Sequence, residues 1–421
     1  MTACGQKGAM SGGVLFVHNH FPAQFRDLAT QLVARGVPCQ AIGAETASPV
    51  EGVDLVRYRL SRGSGRDVFE WAIRAEADLL RARGALSVGR WMREQDRVPQ
   101  VIVGHPGWGE TALLRHIFPE AKQALFSEFY YHGRNSDIDF DPEFWASGQD
   151  DVLARGLAKN AVMAMALAEA DAIVTPTPFQ ASLLPPVFRE RARIIHEGVD
   201  TDAIRPGPAA PFPLPDGRTI APGAPVITHI NNNMEPMRGL HVFARALPRL
   251  LEAVPEAQVL VIGTAKARGY GQTAPEGRTW KQAIFEPLAD RIDASRVHFL
   301  GRVEHARMLA ALRLSTAHVY YSYPFVLSWS IAEAMASGCY VIGSDTAPVR
   351  DAIEDGVNGR LLPFFDVEAL SDALIAACRD PQASAGMRLK ARETAVKKFS
   401  QNRGRAGWFE VLREMGVEIP A

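Results

Sequence analysis

Apolar and polar positions alternate along the first half of the chain in a way that predicts a parallel sheet with helical crossovers. Short apolar runs such as Val14–His18, Val101–Gly104 and Gln123–Phe129 are strand-sized, and stretches with helical spacing lie between them. Strands that alternate with helices are typical of βαβ units. The first half is therefore predicted to form a doubly wound α/β domain.

The same alternation restarts after a break in composition. Seven prolines lie between Arg205 and Pro225, and such a run holds neither a helix nor an inner strand. It predicts an interdomain linker at residues 206–225. Beyond it, apolar runs such as Val226–Ile230 and Gln258–Gly263 again alternate with helices. The predicted fold class is α/β, with two doubly wound Rossmann-like domains facing each other across a cleft. The expected boundaries are a disordered tail at 1–12, a first domain at 13–205 and a second domain at 226–398.

Composition and charge narrow the class of protein. The chain has 421 residues, 47% of them hydrophobic and 22% charged, which is typical of a soluble globular enzyme. A net charge of -1 argues against nucleic acid as a partner. The four cysteines form no CxxC pair, which favours reduced thiols in a cytoplasmic protein. The chain has no signal-like segment and no apolar run of about 18 residues, so we expect at most peripheral contact with the inner face of a membrane.

The stretch from Tyr320 to Gly338 places a helix start directly behind a strand. Such a start presents unpaired backbone amides and the positive end of a dipole, which bind anions such as a diphosphate, here near Trp329 and Ser330. Glu333 follows about one and a half turns later. Its carboxylate either accepts hydrogen bonds from a ribose diol or is a solvated residue on a packed helix.

Other cations and polar loops of the second half follow strand ends. Arg238, in the polar loop that also contains Asn233, can neutralise a phosphate through two hydrogen bonds. The loop with Arg302 and Val303 can contact a base or a phosphate. Lys281 is a possible additional phosphate contact, although a solvated position is the simpler interpretation.

Histidines occupy the corresponding positions of the first half. His105 directly follows a strand, which favours contact with a substrate, while hydrogen bonding to neighbouring backbone is the alternative. His18 and His20 follow the first strand in the same way. Two histidines at this spacing suggest a metal, but no acidic or cysteine partner lies near them in the sequence, and we interpret them as residues on the acceptor side.

A polar loop after the run Gln123–Phe129 contains two overlapping D-x-D patterns at Asp137, Asp139 and Asp141. Some sugar transferases hold Mn²⁺ or Mg²⁺ with this pattern. We interpret Arg134, Asn135, Asp137 and Asp139 instead as residues on the acceptor side, with no metal. The chain has no GxxxxGK[ST], GxGxxG, HExxH or GxSxG motif, which argues against a kinase, a dehydrogenase, a zinc protease or an ordinary hydrolase.

Taken together, these residues resemble a glycosyltransferase of family 4. The resemblance is strongest over Pro225–Phe365, where Arg238-Gly239, Gly301-Arg302-Val303 and Glu333-Ala-Met-Ala-Ser-Gly338 stand in that family's order. It implies the two-domain GT-B architecture and a retaining, metal-independent transferase that uses a nucleotide-diphosphate sugar as donor and no cofactor.

The resemblance also assigns roles to residues. It implies that Glu333 holds the ribose hydroxyls, that Arg238 and the amides near Trp329–Ser330 hold the diphosphate, and that His105 contacts the donor sugar. The C-terminal helix, at about 399–421, would pack back on the first domain. The acceptor would be a glycan, a lipid-linked sugar or a small molecule.

Two departures from the family pattern bear on activity. Phe325 stands where the family usually has a second glutamate that contacts sugar hydroxyls, and Asn232 and Asn233 stand where it usually has a second basic residue. Arg302 or Lys281 would then have to complete the neutralisation of the diphosphate. A non-catalytic nucleotide-sugar-binding or partner subunit is therefore an alternative. A sugar-nucleotide epimerase is another, although no convincing pair of carboxylates supports it.

Overall fold

A computed structural model of the chain describes residues 12–134, 136–144, 149–275 and 277–420. The chain forms two compact units. Among the described residues, the first unit comprises 12–134, 149–197 and 401–420, and the second comprises 136–144 and 198–400. Of the predicted tail at 1–12, only Gly12 is described, and its amide donates to the carbonyl of Val98.

The first unit is built on a seven-stranded parallel sheet. Its strands are β1 (Val14–Val17), β2 (Cys39–Ala44), β3 (Asp54–Tyr58), β4 (Val101–Gly104), β5 (Lys122–Phe126), β6 (Ala172–Thr175) and β7 (Ala192–Ile194). They lie in the order β3-β2-β1-β4-β5-β6-β7. Every residue of β1 is buried, as expected for a central parallel strand that is covered on both faces.

Seven α-helices lie between these strands in the described part of the chain. They are α1 (Arg26–Ala34), α2 (Ile73–Glu94), α3 (Leu114–Ile117), α4 (Gln149–Ala158), α5 (Ala161–Ala168), α6 (Pro178–Ser182) and α7 (Pro186–Arg189). The break between α4 and α5 falls at Asn160. Its side chain accepts from the amide of Tyr131 (2.9 Å) and donates to the carbonyl of the same residue (2.8 Å), so it satisfies backbone groups of another segment.

The second unit begins with the segment predicted to be a linker. Residues 206–225 instead contain a short hairpin, β8 (Phe212–Pro213) and β9 (Thr219–Ile220). Phe212, Leu214 and Ile220 are buried in the core of this unit. The prediction of a linker failed because it weighed the prolines and overlooked the apolar residues between them, whose burial attaches the segment to the second unit.

The main sheet of the second unit has six parallel strands. They are β10 (Val226–Asn233), β11 (Gln258–Thr264), β12 (Val297–Gly301), β13 (Ala317–Tyr320), β14 (Val341–Ser344) and β15 (Arg360–Leu362), in the order β12-β11-β10-β13-β14-β15. The helices are α8 (Leu240–Ala253), α9 (Trp280–Phe285), α10 (His305–Leu314), α11 (Trp329–Ala336), α12 (Ala347–Arg350), α13 (Val367–Arg379) and α14 (Ala385–Phe399). The predicted fold class, two Rossmann-like α/β domains, is thereby confirmed.

The last helix, α15 (Gln401–Glu414), belongs to the first unit. Trp408, Phe409 and Leu412 lie in the same buried cluster as Phe25 and Phe126. Arg193, in β7, forms an ion pair with Glu414 near the end of this helix.

The three described cysteines are unpaired thiols. Within the described part of the chain, no helix combines the length and the apolar character needed to cross a bilayer.

Candidate functional site

The second sheet reverses its strand order between β10 and β13, which is where doubly wound sheets bind ligands beyond the carboxyl ends of their strands. Arg238 lies in the short turn that joins β10 to α8, and Gly239 ends that turn with a φ of 70°. A Cβ atom at Gly239 would lie 2.3 Å from the Cβ of Tyr321. The close packing of this turn on the end of β13 therefore requires glycine.

The guanidinium of Arg238 is buried against the loop that follows β13. Its Nη1 donates to the Oγ of Ser322 (2.8 Å) and to the carbonyl oxygen of Val326 (2.9 Å). The guanidinium carbon lies 5.4 Å from the centroid of the Phe325 ring. Because a guanidinium has five N–H donors, these bonds leave donors for an anion at the same place.

The first turn of α11 lies next to this arginine along the same loop. Ser328 caps the helix, since its Oγ accepts from the amide of Ser330 (3.3 Å), and its own amide donates to the hydroxyl of Tyr320 (2.7 Å). Val326, which binds Arg238, stands two residues before this cap. Trp329 is the first residue of the helix and is exposed. The structure therefore brings the predicted cation and the predicted helix start together.

Glu333 faces the end of another strand. Its Oε1 lies 2.7 Å from the Nε2 of His305, the first residue of α10. The His305 ring is exposed, whereas the Glu333 carboxylate is largely buried. Burial raises the pKa of Glu333, and the contact with His305 opposes that rise. Since His305 follows the loop that contains Arg302 and Val303, Glu333 lies near that loop, as a residue between a diphosphate and a base would. His305 was missed, although its place after a strand end could have indicated it.

The remaining predicted donor residues have different surroundings. Asn233 is buried, and its Oδ1 accepts from the hydroxyl of Thr264 (3.1 Å) and the amide of Lys266 (3.0 Å), so it fixes the chain after β11. Lys281 lies with its ammonium 3.9 Å from the centroid of the Phe299 ring. No described hydrogen bond or ion pair joins it to Arg238 or Glu333. Arg302 is exposed and Val303 packs partly against the core.

A buried carboxylate near Arg238 was not predicted. Glu235 accepts hydrogen bonds from the amides of Tyr270 (3.2 Å) and Gly271 (3.0 Å) and thereby holds the loop after β11. Burial raises its pKa, while the two amides and the charge of Arg238 oppose the rise. The ring of Tyr270 lies 5.7 Å from that of Phe325. The Phe325 ring thus lies against the guanidinium of Arg238, with Tyr270 packed against it, and Phe325 is the residue that stands where the family pattern has a glutamate.

The first sheet reverses its order between β1 and β4, and a histidine follows each of these strands. The rings of His18 and His105 are 5.2 Å apart. The Nδ1 of His18 accepts from the amide of His20 (2.8 Å), and that of His105 accepts from the amide of Gly107 (3.1 Å). Because a backbone amide donates to the Nδ1 of each ring, Nε2 is the nitrogen of each ring that can donate to a substrate. Burial holds the pKa of His18 well below its ordinary value, and the neighbouring histidines lower it further.

Two arginines of α2 fix the loop that carries His105. Arg74 donates to the carbonyl of Gly107, and Arg81 donates to that of Trp108 (2.6 Å). Both also pair with Asp78, which is buried. The Nε2 of His105 lies 3.6 Å from the carboxylate of Glu128, beyond hydrogen-bond distance. A fixed loop whose buried imidazole nitrogen has no hydrogen-bond partner among the described residues is an arrangement that suits contact with a substrate.

The residues predicted on the acceptor side do not form one group. His20 is exposed near the first strand end, with its Nδ1 3.0 Å from the hydroxyl of Thr46. Arg134 is exposed, and Asn135 lies outside the described residues. Asp137 and Asp139 belong to the second unit, which corrects their expected place in the first domain. Buried contacts of the neighbouring Phe140 and Asp141 account for this placement.

One group of three possible metal ligands occurs among the described residues. Ligand atoms of Asp141, Glu143 and His241 all lie within 4.8 Å of one another. Each carboxylate already has a partner, however: Tyr323 donates to Asp141, and Arg245 forms an ion pair with Glu143. Asp139, the other residue of this D-x-D pattern, accepts from the amide of Ser136 (2.8 Å).

Models of known protein families match both halves of the chain. Residues 35–204 match the model of the glycosyl transferase family 4 group, and residues 224–380 match that of the glycosyl transferases group 1. The phosphatidyl-myo-inositol mannosyltransferase of Mycolicibacterium smegmatis is 30% identical over 203 residues, which is 47% of this chain and 46% of that protein. The D-inositol 3-phosphate glycosyltransferase of Mycolicibacterium paratuberculosis is 27% identical over 241 residues, 55% of this chain and 50% of that one. The chain thus aligns with about half the length of these relatives.

Solved structures resemble the chain over nearly its whole length. The sucrose-phosphate synthase of Thermosynechococcus elongatus has a TM-score of 0.72 at 15% identity, covering 96% of this chain and 99% of that one. HepE of Anabaena, crystallised with UDP and glucose, has a TM-score of 0.63 at 15% identity, covering 96% and 100%. At this identity the likeness concerns the fold. The two family models, which together match more than half of the chain, identify it as a member of the family 4 glycosyltransferases, and the solved structures show that its fold is GT-B.

Proposed function

We propose that the protein is a retaining glycosyltransferase that moves a sugar from a nucleotide-diphosphate sugar to an acceptor. The observation that carries this proposal is the position of Arg238 beside the first turn of α11, with donors left for an anion. Glu333, on the same helix, supplies a carboxylate for a ribose diol. A nucleoside diphosphate is the ligand that needs both groups at once.

The relatives support this donor class. The crystallised HepE holds UDP and glucose in one structure and UDP-glucose in another. The sequence relatives transfer a mannosyl or another glycosyl group, according to their names. Their acceptors, a phosphatidyl-myo-inositol and an inositol phosphate, are consistent with a lipid-linked or small-molecule acceptor here, and a glycan is the remaining class.

The chemistry needs charge stabilisation more than a protein nucleophile. The bond between the anomeric carbon and the diphosphate oxygen breaks, and a bond forms between that carbon and an acceptor oxygen. The acceptor proton passes to the leaving phosphate. Arg238 and the amides at the start of α11 would stabilise the negative charge that develops on the leaving oxygen. Attack on the face from which the diphosphate departs gives retention.

The proposal includes no metal and no cofactor. Arg238 and the helix dipole supply the positive charge that a divalent cation supplies in other transferases. The carboxylates of Asp139, Asp141 and Glu143 each have a partner within the second unit, so these side chains do not require an ion. We further propose a cytoplasmic enzyme with at most peripheral contact with a membrane.

A nucleotide-sugar-binding subunit without turnover is the second candidate. Phe325 packs on Arg238 in place of a carboxylate, and the oxygen of Asn233 is already bonded to the chain after β11. These features reduce the number of polar groups that can contact a donor sugar. A subunit of this kind would bind the nucleotide sugar and release no nucleoside diphosphate with any acceptor.

Turnover with a panel of donors distinguishes the two. The protein would be incubated with UDP-, GDP-, ADP- and dTDP-sugars and with acceptor pools of glycans, lipid extracts and polyols. We expect release of nucleoside diphosphate that depends on an acceptor, and a product with the anomeric configuration of the donor by NMR. Binding without release would support the subunit, and a product of inverted configuration would exclude the retaining mechanism.

A further inference from the structure

Residues 136–144, here called the strap, lie in the second unit although the chain before and after them belongs to the first. Two aromatic side chains anchor the strap. Phe140 packs against Tyr323, Phe364 and Phe365, with ring centroids 5.0, 5.0 and 5.2 Å away. Phe144 packs against His241 and Trp280, each at 5.1 Å. Since aromatic rings dominate the energetics of such packing, the strap is a fixed part of this unit.

Between these anchors, Asp141 makes the buried polar contacts of the strap. It is 4% exposed, and its Oδ2 accepts from the hydroxyl of Tyr323. The Nε2 of His241 lies 3.0 Å from the same oxygen. Burial alone would raise the pKa of Asp141, but the nearby His241 ring and the hydroxyl of Tyr323 outweigh it and hold the pKa below its ordinary value. The residue is therefore a buried carboxylate anion near neutral pH.

The two partners of Asp141 belong to the two elements that flank Arg238. Tyr323 lies in the loop after β13, next to Ser322, which binds the guanidinium, and its amide donates to the carbonyl of Met237 (2.9 Å). His241 lies in the first turn of α8, three residues after Arg238. One carboxylate thus joins both sides of the turn that carries the arginine.

We propose that Asp141 is a positioning residue, which holds Tyr323 and His241 so that Arg238 faces the diphosphate. The proposal rests on the donor site proposed above. It explains why a segment of chain from between β5 and α4 packs here, and why its acidic residue has one partner on each side of the turn that carries Arg238. A misplacement of one ångström in a charged contact is enough to weaken it substantially.

The exposed ion pair of the strap provides a matched control. Glu143 pairs with Arg245, and both side chains are more than 40% exposed. Exposed pairs contribute little to stability. The variants Glu143→Gln and Arg245→Met therefore alter the charges of the strap and leave the contact between Asp141 and Tyr323 in place.

The test is a double-mutant cycle on nucleotide affinity. Tyr323→Phe removes one hydroxyl, and Asp141→Asn keeps the shape and removes the charge. Calorimetry would measure Kd for whichever of UDP, GDP, ADP and dTDP binds the wild type best, and unfolding scans would give Tm. We expect each variant to raise Kd about tenfold, the double variant to raise it no further, and both control variants to leave it unchanged.

The outcomes separate this inference from the proposed function. If none of the four nucleotides binds the wild type, the donor site itself is wrong. If the wild type binds and the two variants lower Tm without changing Kd, Asp141 is structural only and the inference is overturned. Independent, additive effects on Kd would overturn the shared contact. If EDTA weakens nucleotide binding by the wild type, a cation held by Asp141, Glu143 and His241 would replace the proposed contact as the explanation.

Discussion

Glu333 is the single residue for which the proposed nucleotide site makes its most specific prediction. Only a nucleotide carries a ribose diol, so Glu333→Gln should weaken binding of the nucleoside diphosphate and leave binding of pyrophosphate nearly unchanged. Hydrogen bonds to a charged group contribute about 1.5–3 kcal/mol, which predicts a loss of roughly 10- to 100-fold. Calorimetry with both ligands measures this, with Glu368→Gln, an exposed glutamate of α13, as control. Equal losses for both ligands would contradict the ribose assignment.

His105 tests the contribution of the first unit to turnover. The available Nε2–H of His105 suits a contact with the sugar or the acceptor in the transition state. His105→Ala should therefore lower kcat and kcat/KM together, by about 10²–10³-fold, as for the loss of one electrostatic donor. Affinity for the nucleoside diphosphate should stay the same. His116→Ala, at an exposed histidine, is the control, and unchanged turnover in His105→Ala would show that the residue is structural.

Sequence alone could single out candidate residues whose place in an element is set by neighbouring residues. Arg238, Ser330 and Glu333 follow directly from a strand end and a helix start, because both features are written in consecutive residues. The contact between Asp141 and Tyr323 joins residues 182 positions apart. Nothing in the periodicity of either segment indicates it, since it depends on how the elements pack.

Two buried histidines in the central strands predict how stability depends on pH. Burial lowers the pKa of His229, in β10, to about 4 and that of His318, in β13, to about 3. An unfolded histidine titrates near 6.5, so between about pH 6.5 and 4 the unfolded state binds more protons than the folded state. Stability is fully present above pH 6.5 and is lost as the pH falls, by about 2 kcal/mol per histidine at pH 5.

Calorimetric scans between pH 7 and pH 5 measure this loss. The wild-type Tm should fall over that range, and His318→Gln should flatten the dependence, whereas His116→Gln should not. A Tm that is independent of pH in the wild type would show that neither histidine is held neutral. The dependence arises from two elements together, because β10 and β13 are adjacent and bury both rings at the centre of the sheet.

The prediction of elements succeeded where one feature of the sequence determined the structure, and it failed where two features had opposite effects. The strands and most helices follow from alternating apolar runs. The prediction of a linker at 206–225 failed because the prolines there disfavour regular structure, whereas the apolar residues among them, Phe212, Leu214 and Ile220, are buried. The placement of the strap was mispredicted because its many polar residues indicated a polar loop of the first domain. In the structure, Phe140 and Phe144 pack against aromatic partners of the second unit.

At the scale of the whole molecule, the fold class and the family could be predicted, because strand–helix alternation and the order of motifs run through nearly all of the chain. The placement of 136–144 with the second unit could not, since it depends on long-range packing. One consequence is a prediction about metals: transfer should be unaffected by EDTA, because the acidic residues near the donor site are paired within the protein. Activity that EDTA abolishes and Mn²⁺ restores would contradict this account.

The central claim is that Arg238 and the start of α11 bind a diphosphate, and calorimetric titration of Arg238→Met with UDP, GDP, ADP and dTDP tests it most directly. Arg249→Met, at an exposed arginine of the same helix region, is the matched control. We predict that the wild type and Arg249→Met bind one of these nucleotides with the same Kd, and that Arg238→Met binds it at least tenfold more weakly while its affinity for the parent nucleoside is unchanged. Equal affinity of Arg238→Met and the wild type for the nucleoside diphosphate would contradict the claim.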